Sequence, residues 1–195
     1  MIFRKVNPDE VGKLAEMYDE VLDRQPFDEY GPKWTRDIYP CQQDYISHCS
    51  RGEFHAGEDN GAFGCRAVLC FGEDPMYKAG NWRKRVSDEE VAVIHLLAVA
   101  PSYRGQGTAM SFLKYLTEQA GKKARVIHLD VLDGNLAAGR LYLKRGFTYS
   151  GNLEAYYEDI GECLINLYEF DLENKKANGV CSIPISFVFI GHFLF

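Results

Sequence analysis

The sequence has no C-x-x-C pair, no histidine at zinc-finger spacing from a cysteine pair, and no apolar stretch long enough to be assigned as a membrane span. No metal and no membrane association are therefore expected. Met1–Lys5 lacks the apolar stretch of a signal peptide. Six scattered cysteines without an export signal read as reduced thiols, which places the protein in the cytoplasm and leaves no disulfide to invoke. Positive charge is also in deficit. A formal net charge of −6 argues against broad nucleic-acid binding and leans toward cationic small-molecule partners. Internal repeats and low-complexity segments are absent.

What is present suits one domain, since 195 residues can bury a single core. Ile2–Val6 is a short apolar run. Asn7, Pro8 and Glu10 then carry the signature of a helix start, and Val11, Leu14, Ala15, Tyr18, Val21 and Leu22 recur at helical spacing. Tyr45, Ile46 and Cys49 suggest a second, short helix closed by Gly52. Asn60-Gly61 between two strand-like runs predicts a hairpin. The charged stretch from Glu73 to Asp88 reads as a loop. Val91–Val99 is nearly all apolar, as a central strand covered on both faces should be. A loop, a helix from about Ala109 to Ala120, a strand over Val126–Leu132, a helix over Leu136–Arg145 and two final strands complete the chain to Leu172.

Two segments carry candidate chemistry. Arg104-Gly105-Gln106-Gly107-Thr108-Ala109 follows a buried strand and opens a helix. Glycines let main-chain N–H groups approach a ligand, and the helix N-terminus adds partial positive charge, so the segment can form a pyrophosphate site. A plain glycine-rich turn is the competing reading. A dinucleotide-binding turn is excluded: Met110 stands where its third glycine belongs, and Pro101–Arg104 separates the strand from Gly105. The second segment places Asn135, Ala138 and Tyr142 on one helix face. Asn135 can cap that helix and offer its amide to a linear polar ligand, Ala138 leaves room for the ligand, and Tyr142 projects into the same groove. Singly, a cap and a core tyrosine explain these residues; their joint occurrence after the glycine loop favours a site.

Together these segments resemble the GNAT superfamily of N-acetyltransferases, over roughly Ile2 to Leu172. Leu97 to Ala109 is similar to the family's acyl-CoA motif, with Arg104, Gly107 and Ala109 at its Arg/Gln-x-x-Gly-x-Gly/Ala positions. Asn135-x-x-Ala138-x-x-Leu141-Tyr142-x-Lys144-x-Gly146-Phe147 is similar to its later helix motif. The resemblance implies a mixed α/β fold: a strongly bent central mixed sheet flanked by helices, with an acyl-CoA cleft between splayed central strands. It implies acetyl-CoA as donor and a primary amine of a small molecule or peptide as acceptor, joined by direct attack. Leu97, Ala98 and Val99 would pair through their main chain with the pantetheine arm. Amides from Arg104 through Gly105, Gln106, Gly107 and Thr108 to Ala109 would hold the pyrophosphate, and Asn135 would contact the pantetheine. Arg140 and Lys144 are surface charges or, alternatively, phosphate contacts.

Tyr142 is the candidate general acid for the departing thiolate. Many family members carry a glutamate base on the central strand where this chain has Val93. His95, two residues on and on the same strand face, is the candidate base, and it matches a position where the arylalkylamine-acetylating branch carries histidine. A satisfied core histidine remains the competing reading there, and a structural role is expected for His128. The acceptor groove would draw on Phe27, Asp28, Glu29, Tyr30, Trp34 and Tyr39, then on Glu154, Tyr156, Tyr157 and Glu158. Polyamine, amino acid, aminoglycoside and peptide N-terminus all stay open as acceptors. Residues 173–195 form an apolar extension expected to pack on its own domain or on a second subunit as a homodimer. A catalytically inactive acyl-CoA-binding regulatory or assembly module is the alternative function.

Overall fold

The computed structural model describes residues 1–28, 33–158 and 160–174. Glu29, Tyr30 and the extension from 175 onward lie outside the described residues. Eleven elements follow in chain order: β1 (Ile2–Lys5), α1 (Val11–Arg24), α2 (Gln42–Ser50), β2 (Phe54–Asp59), β3 (Ala62–Phe71), β4 (Val91–Val99), α3 (Thr108–Ala120), β5 (Val126–Leu132), α4 (Leu136–Arg145), β6 (Thr148–Tyr157) and β7 (Gly161–Asp171). Among the described residues the strands form one sheet in the order β1-β2-β3-β4-β5-β7-β6. Only the β4–β5 pair is parallel, so the sheet is mixed, as expected.

Local sequence accounts for most boundaries. The Asn7 N–H donates to Glu10 Oε2 at 3.1 Å, the predicted start signal, although Pro8–Glu10 first makes a tighter 3-10 turn before α1. Asn60 and Gly61 both have positive φ, 50° and 84°, the pairing that a two-residue primed turn requires. The loop after β3 is more ordered than its composition suggests: Asp74 caps a 3-10 turn over Pro75–Ala79.

Helices cover both faces of the sheet. Leu14, Tyr18 and Val21 of α1 and Tyr45 of α2 pack on Phe54, Val68 and Leu96. On the opposite face Phe112, Leu113 and Leu116 of α3 and Tyr142 of α4 pack on Leu69, Ile94, Ile127 and Leu129. A third cluster gathers Val91, Val93, Val126, Ile165 and Leu167 around Tyr77. Arg66 is wholly buried on β3, its guanidinium 4.5 Å from the Tyr18 ring centroid and 5.1 Å from that of Tyr45, so cation–π contact offsets part of its desolvation. Cys41, Cys49, Cys65 and Cys70 form no disulfide among the described residues. Among the described residues no helix is long and apolar enough to cross a membrane.

Two irregularities in β4 position everything that follows. Val68 lies opposite His95 and Arg66 opposite Ala98, so two steps on β3 meet three on β4 and the chain bulges. Leu96, at the bulge, has φ 53°, which is costly for a side chain bearing γ-branching. On its other side β4 pairs with β5 only from Val91↔Val126 to Val93↔His128. Beyond that point the two strands separate.

Candidate active site

The gap between β4 and β5 is a cavity of about 230 Å³. Ile94, His95, Leu96 and Leu97 line one wall, and Asp130, Val131 and Leu132 the other. Asn135, Ala138 and Tyr142 of α4 close it together, as their helical spacing predicts. Asn135 caps α4: its Oδ1 accepts from the Ala138 N–H at 3.1 Å. Its amide NH2 makes no hydrogen bond among the described residues.

Tyr142 is 6% exposed, its ring packed against Phe147 at 5.4 Å and Tyr168 at 6.0 Å between centroids. Burial, then the nearby Asp130 carboxylate and Tyr168, push its hydroxyl above the ordinary phenol range. A tyrosine so placed stays protonated at neutral pH and can donate.

The glycine loop fits an anion. Gly105 and Gly107 hold φ 74° and 79°, and an added Cβ at either would meet no atom within 4 Å. Backbone conformation, not crowding, therefore requires glycine there. The N–H groups from Gly105 to Met110, which include the first turn of α3, make no main-chain hydrogen bond among the described residues. Arg104 departs from the expected run of free amides, since its own N–H donates to the Pro101 carbonyl at 3.3 Å. Its Nη1 sits 2.6 Å from Asp28 Oδ2 and its Nε donates to the Val99 carbonyl at 3.1 Å, so it braces the loop. Leu97, Ala98 and Val99 lie on the stretch of β4 whose β5-facing edge is left unpaired by any described strand.

His95 lies opposite Val68 and lines the cavity, sharing with Val93 a second, adjoining cavity of about 360 Å³. Its Nε2 is 3.4 Å from Asp74 Oδ2. Asp74 Oδ1 accepts the Met76 N–H at 2.8 Å, which fixes the carboxylate. The His95 contact, outweighing burial, holds the Asp74 carboxyl below the usual range.

His128 is structural in its surroundings. It is 1% exposed, stacked on Trp82 at 3.6 Å, with Nδ1 2.7 Å from Glu73 and Nε2 3.4 Å from Glu169. Burial opposes its charge, but the two carboxylates outweigh burial and raise its pKa.

The expected acceptor residues divide. Trp34, Tyr39 and Tyr157 line the cavity. Phe27 is 75% exposed, and Asp28 is engaged by Arg104. Glu154, Tyr156 and Glu158 are exposed, on the opposite face of β6 from Tyr157 or just past its end. The carboxylates at the cavity are instead Asp74 and Asp130, neither named from sequence for this role. Tyr77 and Tyr157 donate to the two Asp130 oxygens, from segments far apart in the chain. Asp130 lies inside β5, in a run read from sequence only as a buried strand.

Comparison with known proteins agrees with this geometry. The profile described as Acetyltransferase (GNAT) family matches residues 15–147. An uncharacterized N-acetyltransferase of Methanocaldococcus jannaschii is 28% identical over 149 residues, 74% of this chain and 59% of that protein, so the chain spans well under two thirds of its length. A GNAT-family acetyltransferase from Streptococcus agalactiae superposes with a TM-score of 0.73 at 21% identity, covering 87% of this chain and 94% of that one. An acetyltransferase from Salmonella typhimurium, solved with acetyl-CoA, gives 0.63 at 17% identity over 88% and 93%. These structures share the fold, and with the profile covering more than half of the sequence, the chain belongs to the GNAT acetyltransferase family.

Proposed function

We propose that the protein transfers an acetyl group from acetyl-CoA to a primary amine, by direct attack while both are bound. The parting of β4 and β5 after Val93 carries this reading, because it opens a cleft with Asn135, Ala138 and Tyr142 on one side and His95 on the other. The unpaired β4 edge suits an amide-bearing arm added as a strand. The free N–H groups from Gly105 to Met110 suit a pyrophosphate. When bound, the thioester supplies an electrophilic carbonyl and a thiolate leaving group.

The chain's residues supply the proton transfers. An ammonium must lose a proton before nitrogen can attack. His95 receives it, directly or through one water, with Asp74 holding the ring. A main-chain N–H near Leu97 stabilises the developing oxyanion. As the C–N bond forms and the C–S bond breaks, Tyr142, held fully protonated by burial and the nearby Asp130 carboxylate, gives its proton to the departing sulfur.

A thiol-release assay with acetyl-CoA across a panel of amines, with acetyl-CoA binding measured alongside, tests the proposal. Acceptor-dependent release is the expected result. Tight binding without release from any amine would favour the inactive binding module, and no binding would overturn the cofactor reading.

A further inference from the structure

The two cavities share Tyr39, Asp74 and His95, so they form one cleft with two lobes. The first lobe reaches Tyr142; the second runs outward past Val93 to Cys70, Glu73 and His48. Among the described residues no lysine or arginine lines either lobe. Three carboxylates do: Asp130 in the first, Glu73 in the second, and Asp74 in both.

Asp130 is half-buried and takes two tyrosine hydroxyls, yet meets no cationic side chain among the described residues. Two hydrogen bonds orient a carboxylate but leave its charge uncompensated in a partly desolvated site. Trp34 and Tyr39 add aromatic walls to the same lobe, a complement to an ammonium. In the second lobe Glu73 shares His128 with Glu169, so one imidazole serves two carboxylates and the group keeps net negative charge. Arg51, beside His48, is tied to Glu53.

We infer that the acceptor is a dication: an amine whose reacting ammonium sits by Asp130 and His95 and whose second positive group, a few carbons away, lies in the second lobe by Asp74 and Glu73. This rests on the acetyl-transfer reading and narrows its substrate class to short aliphatic diamines and polyamines. A neutral far end would forgo the second charge contact, and a far-end carboxylate would face like charge.

Three probes share one reacting end and differ at the other: putrescine, butylamine and γ-aminobutyrate. Thiol release should give putrescine a kcat/KM about tenfold or more above butylamine, the worth of one charge-assisted contact, with γ-aminobutyrate poorest. Glu73→Gln should compress the putrescine-to-butylamine ratio. Asp74→Asn should compress it too while slowing all three, because Asp74 also holds His95. Calorimetry of the same compounds on CoA-saturated protein reads the charge preference without turnover. Equal kcat/KM, or a ratio untouched by both variants, would overturn the inference. Charge-selective binding without thiol release would uphold it and overturn acetyl transfer.

Discussion

Replacing Tyr142 by phenylalanine removes one oxygen and little else. The ring keeps its contacts with Phe147 and Tyr168, and the lost hydroxyl faces the cleft. Stability should therefore move by less than about 0.5 kcal/mol, the range of a substitution that opens no cavity and breaks no network. Turnover should respond differently. Burial, Asp130 and Tyr168 keep the phenol protonated through neutral pH, so the wild type has a proton ready for sulfur at every cycle. Positioned general acids contribute roughly 10²–10⁴-fold, and a hundredfold loss corresponds to about 2.7 kcal/mol of barrier. Expected, then, is a kcat about a hundredfold lower, with the acetyl-CoA Kd within about threefold of wild type. Thiol release at saturating acetyl-CoA gives kcat, calorimetry gives Kd, and urea denaturation checks the fold. Full turnover in the variant would refute the general-acid role. A turnover loss matched by an equal loss of affinity would assign Tyr142 to binding.

His95→Gln should lower kcat/KM at neutral pH, and the defect should shrink as pH approaches ~10, where the free amine needs no base; a defect of the same size at every pH would rule His95 out as the base. His128 should make stability pH-dependent in one direction. Its folded pKa is raised, so its contribution is complete below the unfolded value near ~6.5 and disappears as pH climbs through the folded value. Urea denaturation from mildly acidic to mildly alkaline pH should show that decline, and His128→Gln should flatten it. Gly107→Ala forces a side chain to φ 79°, at about 1–2 kcal/mol, and by reshaping the loop should weaken acetyl-CoA binding about tenfold, as calorimetry can read.

Elements with a local cause were legible in the sequence. Helical spacing from Leu14 to Leu22 gave α1, Asn60-Gly61 gave the β2–β3 turn, and Gly146 closed α4 at φ 104°. The cavity's α4 wall was legible for the same reason, since Asn135, Ala138 and Tyr142 follow from one helix period. The acceptor side was not, because its parts converge from unrelated segments. Asp74 came from a stretch whose charge and proline suggested only a loop. Tyr77 and Tyr157 reach Asp130 across 53 and 27 residues of sequence. On β6 the sequence offered an aromatic-acidic cluster without saying which face turns inward. Alternation decides it: Leu153, Ala155 and Tyr157 pack inward, leaving Glu154 and Tyr156 in solvent.

The bulge at Leu96 ties these parts together, and nothing in an apolar run such as Val91–Val99 announces it. Before the bulge, Ala92 and Ile94 face α3 while Val91 and Val93 face the Tyr77 cluster. After it, Leu97 and Val99 face the α3 side while Leu96 and Ala98 join the α1 cluster. One extra residue has thus exchanged the parity of the strand. A regular β4 would turn Leu96 and Ala98 toward α3 and drive Leu97 and Val99 into the packing around Tyr18 and Tyr45. With the bulge, His95 keeps the Val93 side and meets Asp74, and the chain after it still buries an apolar side chain on each face. The same stretch is where β4 leaves β5, so the distortion that orients the proposed base lies beside the backbone edge proposed for the donor. A strained φ at Leu96 is tolerable because cores on both sides hold it in place, and its cost falls where the proposed chemistry needs the strand to be irregular.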